Sequence, residues 1–283
     1  TPCGTLFPYT TLFRSDRTKP HLLEGIVAAE KLGATAAKIT LGHGESINCS
    51  FESGKLKRAG THEDASYTVT VVVNGKRGVT SGNRLQDIDL MTQRAVALAK
   101  AGSVAHFDAY PAPTEYTRVK QHSDKTLELN RATMIETCQG MVDTLRDIDS
   151  DLDISASAGR SEREVIMATS GGLLYQNQRT GWHLGAGIQR TQGTDMLFSH
   201  AARGWNHLNE FFDPDYITGR IREDLERAAR TASSPKGDIA VYLPPEALAT
   251  FSAQLFNGLN GRNVAKGISP LRDRLGEAAF APN

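Results

Sequence analysis

Eight histidines and three cysteines are the residues of this 283-residue chain that could carry the most chemistry, as metal ligands, bases or nucleophiles. His62-Glu63 is the one His-Glu pair, and Asp64-Ala65-Ser66-Tyr67 follows it, so no His-Glu-x-x-His zinc motif is present. His200 and His207 lie seven apart, with Glu210 three further on. On a helix that spacing would bring imidazoles to one face, where a divalent metal could bind. Gly204 and the alternating pattern around it predict a strand end and a loop instead, with solvent-facing or hydrogen-bonded histidines. His183, beside Trp182, reads as a sheet residue. Ser233-x-x-Lys236 has the spacing of an acyl-enzyme pair, but Pro235 makes it a loop, and that chemistry needs one helical turn. Gly258-x-x-Gly261 matches the loop of a KH module without the surrounding KH pattern. Gly185-x-Gly187 lacks the third glycine of a dinucleotide fingerprint, and no Walker A or Gly-x-Ser-x-Gly sequence occurs.

Cys3, Cys49 and Cys138 form no Cys-x-x-Cys pair and no even framework, which predicts reduced thiols. Cys49 falls among alternating residues and Cys138 on an apolar helix face, so both are expected as packed small residues. The chain has 32 basic and 32 acidic residues and 39% hydrophobic content. Zero net charge gives no electrostatic case for nucleic acid or an anionic membrane. No apolar run approaches the ~18 residues of a transmembrane helix. Residues 6–15, LFPYTTLFRS, look like a translated sequencing adapter. Residues 1–15 are therefore expected to be an artefactual leader, and Cys3 drops out with them.

The elements that would position these residues follow from periodicity. Residues 20–33 and 85–101 repeat apolar positions at helical spacing, each closed by a glycine. Residues 36–41 and 45–52 read as two strands, with a turn at 53–55 and a short return at 56–58. YTVTVVV at 67–73 is strongly β-branched, and Asn74-Gly75 is the best hairpin signal, with 76–80 as its partner. Residues 106–130 contain two prolines and no period, which suits a connecting segment. Residues 131–148 form a helix with Met134, Cys138, Met141, Val142 and Leu145 on one side. Period two then predicts five short strands at 152–160, 165–169, 173–178, 182–190 and 194–203. Residues 214–232 read as a charged amphipathic helix and 239–243 as a strand. The last stretch, 243–277, begins with Pro244-Pro245-Glu246, which suits a first helical turn. Leu248, Phe251, Leu255 and Leu259 make one apolar face, predicting a core helix followed by an ordered loop.

That stretch resembles the TldD/PmbA family, whose catalytic members are zinc peptidases with His-Glu-x-x-x-His on this helix. Asn263-Val264-Ala265-Lys266-Gly267-Ile268-Ser269 and Arg274-Leu275-Gly276-Glu277 match the family's landmarks after the helix. Counting back from them, the motif positions fall on Ser252, Ala253 and Asn257. None offers the imidazole, thiolate or carboxylate that zinc needs, nor a carboxylate to act as general base. The chain is therefore most like the PmbA/TldE branch, with no catalytic, cofactor or metal residue of its own. The hairpin NGKRGVTSGNRLQ and the helix after it also resemble the family's N-terminal domain, although Arg77 is followed by Gly78 without the usual aromatic.

The resemblance implies an α+β fold. An N-terminal α/β domain with antiparallel hairpins (16–105) and a connecting segment (106–130) would precede a helix-plus-antiparallel-meander domain (131–283). The last is expected to be truncated before the family's C-terminal β-rich part, which supplies a cysteine zinc ligand in catalytic members. The implied function is that of the non-metal-binding partner subunit in a cytosolic heterodimer. A TldD-type subunit would hold zinc and degrade unfolded or small peptides. An edge of the 152–203 sheet could bind extended peptide. Two other functions fit the sequence: an active metallopeptidase with displaced ligands that include His200 and His207, and a non-enzymatic binding protein such as a gyrase modulator.

Overall fold

The structure, a computed structural model, describes residues 15–277 apart from positions 118, 211, 231, 234 and 275. Of the expected leader, positions 1–14, Cys3 among them, lie outside the described residues, and Ser15 opens the first helix. The chain divides into two compact units at Arg230/Thr231.

The first unit is built on one antiparallel sheet. Its elements in order are α1 (Ser15–Lys31), β1 (Ala36–Glu52), β2 (Lys55–Val73), β3 (Lys76–Gly82), α2 (Ile88–Ala99), α3 (Asp124–Leu127) and α4 (Arg131–Ile148). Then come β4 (Asp153–Thr169), β5 (Leu174–Gln192), β6 (Asp195–Trp205) and α5 (Pro214–Ala228). The strand order is β3-β2-β1-β4-β5-β6. The fold is α+β, as the sequence predicts. Strands from either side of the 106–130 segment share this sheet, because β1 pairs with β2 along one edge and β4 along the other.

Local signals account for many of these elements. Asn130 caps α4, its side chain accepting from the Thr133 N–H at 3.0 Å. Asp213 caps α5 in the same way, ahead of Pro214 at the first helical position. Asn74 and Gly75 have φ of 51° and 69°, the paired positive values of a two-residue hairpin turn.

The strands are longer than predicted. The two strands expected at 36–41 and 45–52 are one, and the five expected over 152–203 are three. Gly42 and Gly44 lie between the two expected strands, and the ladder runs through them. A Cβ at Gly44 would lie 2.6 Å from the Glu162 carbonyl oxygen, so glycine there permits close pairing instead of ending the strand.

The helices lie on one face of the sheet, over two separate apolar clusters. At one end α1 and α2 cover Ile39, Leu41, Tyr67, Val69, Val71 and Ile166. At the other, α4 and α5 cover Phe51, Ile154, Ala158, Leu184 and Ile188, with Met134, Met141, Leu145, Ile217 and Ile221 from the helices. Cys49 and Cys138 meet in this second cluster, Sγ to Sγ 3.7 Å, both buried. The hydrogen bond between them, and burial after it, hold the Cys138 thiol far above its ordinary range.

Tyr67 is 1% exposed in the first cluster, and its hydroxyl has no hydrogen-bond partner among the described residues. Burial, and then the nearby Asp87 carboxylate, push its pKa up from 10.0. The folded phenol thus keeps its proton where the unfolded chain releases it, so stability falls as pH rises above 10. Tyr67→Phe removes the unsatisfied hydroxyl and is expected to raise stability by about 1 kcal/mol at neutral pH. Its advantage grows above pH 10. Urea unfolding of both proteins at pH 8 and 10.5 checks this, and a lower midpoint for the variant at either pH would refute it.

In the second unit, α6 (Pro245–Leu259) and the short α7 (Gly261–Ala265) stand where the sequence predicts a helix and an ordered loop. Two expectations are corrected here. Residues 239–243 are not a strand: no partner pairs with them among the described residues, and Val241 and Tyr242 are exposed. A β-branched run becomes a strand only when another edge satisfies its backbone. Nor is α6 a core helix, since Leu248, Phe256 and Leu259 are each at least half exposed. Periodicity shows that a helix has an apolar face but not what covers it. The loop after α6 is ordered by side chains. Asn263 Nδ2 donates to the Asn257 carbonyl at 2.9 Å, and Ser269 Oγ donates to the Gly258 carbonyl.

Candidate functional site

Ser252, Ala253 and Asn257 lie within α6, Ser252 half-buried and the other two exposed. Their side chains offer one hydroxyl, one methyl and one neutral amide. That donor set does not fit zinc, whose ligands are imidazole, thiolate or carboxylate. Among the described residues, no group of three or more His, Cys, Asp or Glu side chains could hold a metal ion.

The other sequence candidates are dispersed. His200 lies exposed on β6, opposite Gly187 of β5. His207 is beyond the strand end, its Nε2 3.2 Å from the Lys120 carbonyl and its own carbonyl accepting from Trp182 Nε1 at 2.8 Å. Glu210 is exposed beyond it. His62 and Glu63 follow one another along β2, so their side chains leave opposite faces. His183 is exposed on β5. Gly185 and Gly187 lie within β5, where backbone of β6 passes close to each. Ser233 and Lys236 lie outside any helix, and Gly258 and Gly261 belong to α6 and α7.

A polar site that motif reading misses lies between the two apolar clusters. The helix-facing positions of β4 run Ile154, Ala156, Ala158, then Arg160, Glu162, Glu164, then Ile166, Ala168. β1 does the same, with His43 and Glu45 between Leu41 and Ile47. Register places His43 opposite Glu164 and Glu45 opposite Glu162, while Gln178 and Thr180 of β5 flank the two glutamates. The helix pairs cover either end of this face, and the band between them is polar.

Glu164 is 5% exposed and organises the band. Its Oε2 is 2.7 Å from His43 Nε2. Its Oε1 accepts from the side-chain amides of Gln176 and Gln178. A buried carboxylate is tolerable only when donors surround it in this way. Glu162 is 3.0 Å from His122 Nε2, and Glu45 is 3.4 Å from the Arg160 guanidinium, which also donates to the Leu129 carbonyl. The Arg160 guanidinium offsets the repulsion between glutamates paired across strands, and His122 gives Glu162 a hydrogen-bond partner. The carboxylates and amide oxygens suit a ligand that donates hydrogen bonds. The sequence did carry a signal for the band: charged residues fill three successive inward positions of a strand that is apolar at both ends. It is readable only once β4 is taken as one strand of seventeen residues.

Residues 37–99 match the model of PmbA/TldA metallopeptidase domain 1. No curated protein matches the sequence. Among solved structures, TldE from Thermococcus kodakarensis aligns with 91% of the chain at a TM-score of 0.77 and 17% identity. A protein described as a modulator of a DNA gyrase from Thermotoga maritima aligns with 92% at 0.78 and 16% identity. A similarly described protein from Bacteroides thetaiotaomicron aligns with 93% at 0.79 and 19% identity. The chain spans 59%, 59% and 62% of those structures. Among the described residues no helix is long and apolar enough to cross a membrane. The match in sequence over the first domain, on a chain that shares its fold with TldE and the two gyrase-modulator proteins, supports the PmbA/TldD/TldE family.

Proposed function

We propose that this chain is part of the non-metal-binding subunit of a cytosolic, two-subunit zinc peptidase that degrades unfolded or small peptides. The observation that carries the reading is the donor set on α6. The positions that the resemblance assigns to zinc ligands and the general base, Ser252, Ala253 and Asn257, carry a hydroxyl, a methyl and a neutral amide, which supports a subunit without metal of its own. The partner would be a TldD-type chain carrying His-Glu-x-x-x-His, and zinc would reside there.

Metal analysis of the purified chain is expected to find far less than one zinc per chain after dialysis against micromolar zinc. Co-expression with a His-Glu-x-x-x-His homologue is expected to give a complex that hydrolyses peptides and loses activity with a chelator. Asn257→Ala in that complex should leave peptidase activity nearly unchanged. About one tightly bound zinc per chain would favour an active metallopeptidase with displaced ligands. A collapse of activity in Asn257→Ala, with the complex still assembled, would also overturn the reading. Failure to capture such a partner would favour a non-enzymatic binding protein.

A further inference from the structure

The two thiols of the second apolar cluster stand in contact across the layer between sheet and helix. Cys49 is on β1 and Cys138 on α4, 89 residues apart in the chain, with Sγ to Sγ 3.7 Å. Both are free thiols, and both are at most 2% exposed. A disulfide needs about 2.05 Å between its sulfurs, so each Sγ has to move by less than about 1 Å, within reach of side-chain rotation. The neighbours leave room for that movement. Cys49 lies between Ala59 of β2 and Ala158 of β4. Cys138 shares its helix face with Met134, Met141 and Val142, and the two unbranched thioethers repack readily.

The surroundings also set a side from which a small oxidant can arrive and an order of reaction. Along the helix-facing positions of β1, His43, Glu45 and Ile47 are half-buried, and Cys49 is the first fully buried residue beyond them. Cys49 therefore borders the polar band, one side chain away from groups that meet water. With Cys138 donating, the hydrogen bond between the two sulfurs outweighs burial and holds the Cys49 pKa below the ordinary thiol range. The same bond keeps the proton on Cys138. Cys49 is thus the sulfur that ionises first, and the thiolate is the form that oxidants meet.

We propose that Cys49 and Cys138 are a modification site: a hydroperoxide joins them in a reversible disulfide that ties α4 to the sheet. The Cys49 thiolate attacks a peroxide oxygen and the O–O bond breaks. The leaving oxygen takes a proton and departs as water or an alcohol, and Cys49 is left as a sulfenic acid. The Cys138 sulfur then attacks the Cys49 sulfur and the S–O bond breaks. The Cys138 proton leaves with the hydroxide as water. The two thiols have lost two electrons and two protons, and the peroxide has gained them. A sulfenic acid with a thiol already in contact condenses before it is oxidised further, which keeps the change reversible. Because the bond joins residues 89 apart, it removes much of the freedom of the unfolded chain. The inference is independent of the peptidase-subunit reading, since both thiols belong to this chain and neither zinc nor a partner enters.

The test is hydrogen peroxide treatment of the reduced 283-residue chain, followed by alkylation, tryptic digestion and mass spectrometry. The expected product is peptide 39–55 linked to peptide 132–146, two hydrogens lighter than their sum and released by dithiothreitol. Thermal unfolding of the oxidised chain is expected roughly 5–15 °C above that of the reduced chain. Dithiothreitol should reverse the gain, which sets it apart from methionine oxidation. Cys138→Ala should instead carry oxygen on Cys49, as sulfenic or higher acid, with no link. Both main readouts use the unaltered pair, so a variant that fails to fold does not obscure them. Cys49 and Cys138 still open to alkylation after peroxide treatment would overturn the proposal. So would a link formed only in urea, or a link of either thiol to Cys3 in its place. An oxidised chain that unfolds at or below the temperature of the reduced one would overturn it as well.

Discussion

Gly78→Ala is expected to destabilise the first unit by about 3 kcal/mol or more, among the largest effects of any single methyl in this chain. Gly78 lies in β3 under α2, and a Cβ there would be 1.9 Å from the Ala95 carbonyl oxygen and 2.8 Å from the Ala99 nitrogen. Both atoms are helix backbone, so no side chain can swing away, and α2 must lift off the sheet. That separation would expose Ala95 and Ala99, now fully buried, and loosen the packing around Ile88. The helix and β3 approach closely at this point, so an aromatic or branched residue at 78 would be worse than alanine. Gly60→Ala is the matching control: it lies in β2 with nothing within 4 Å of the added methyl and is expected to shift stability by less than about 0.5 kcal/mol. Both are read from urea unfolding followed by tryptophan emission, since Trp182 and Trp205 both belong to the first unit. A Gly78→Ala midpoint equal to that of Gly60→Ala would refute the close approach.

Glu164→Ala is the second large effect, with an expected loss of about 2–4 kcal/mol. The carboxylate is nearly buried and accepts from three side chains on two strands. Removing it leaves the Gln176 and Gln178 amides without this acceptor and takes away one partner of His43 on β1. The cost arises from the lost acceptor, which is nearly buried, and from the cavity its side chain leaves among β1, β4 and β5. Glu164→Gln keeps the shape but sets an amide among donors, so it is expected to lose about half as much. Unchanged stability in Glu164→Ala would show that the band between the apolar clusters is solvated and contributes nothing to the fold.

The contrast between these residues and the motif positions shows what can be read without a structure. The helix at 131–148 was readable in full, because Asn130 and five apolar residues at helical spacing are local signals that tertiary packing did not override. The same holds for the Asn74-Gly75 turn and for α6, whose prolines mark its start. The absence of zinc-binding side chains at Ser252, Ala253 and Asn257 is likewise a matter of residue type, and no fold could supply an imidazole there.

The tertiary structure alone decided the rest, for a physical reason common to each case. That β1 lies beside β4 depends on pairing over more than a hundred residues, which leaves no mark at short range. Hydrogen bonds carry β1 and β4 through the polar stretch around His43 and Glu164, so hydrophobic alternation stops where the ladder does not. The strand predicted at 239–243 and the core role predicted for α6 fail for the converse reason: the pattern was present and the partner was not. The sequence by itself thus determined local geometry and the chemistry each residue could offer. Which polar residues came together was decided by contacts between segments far apart in the chain.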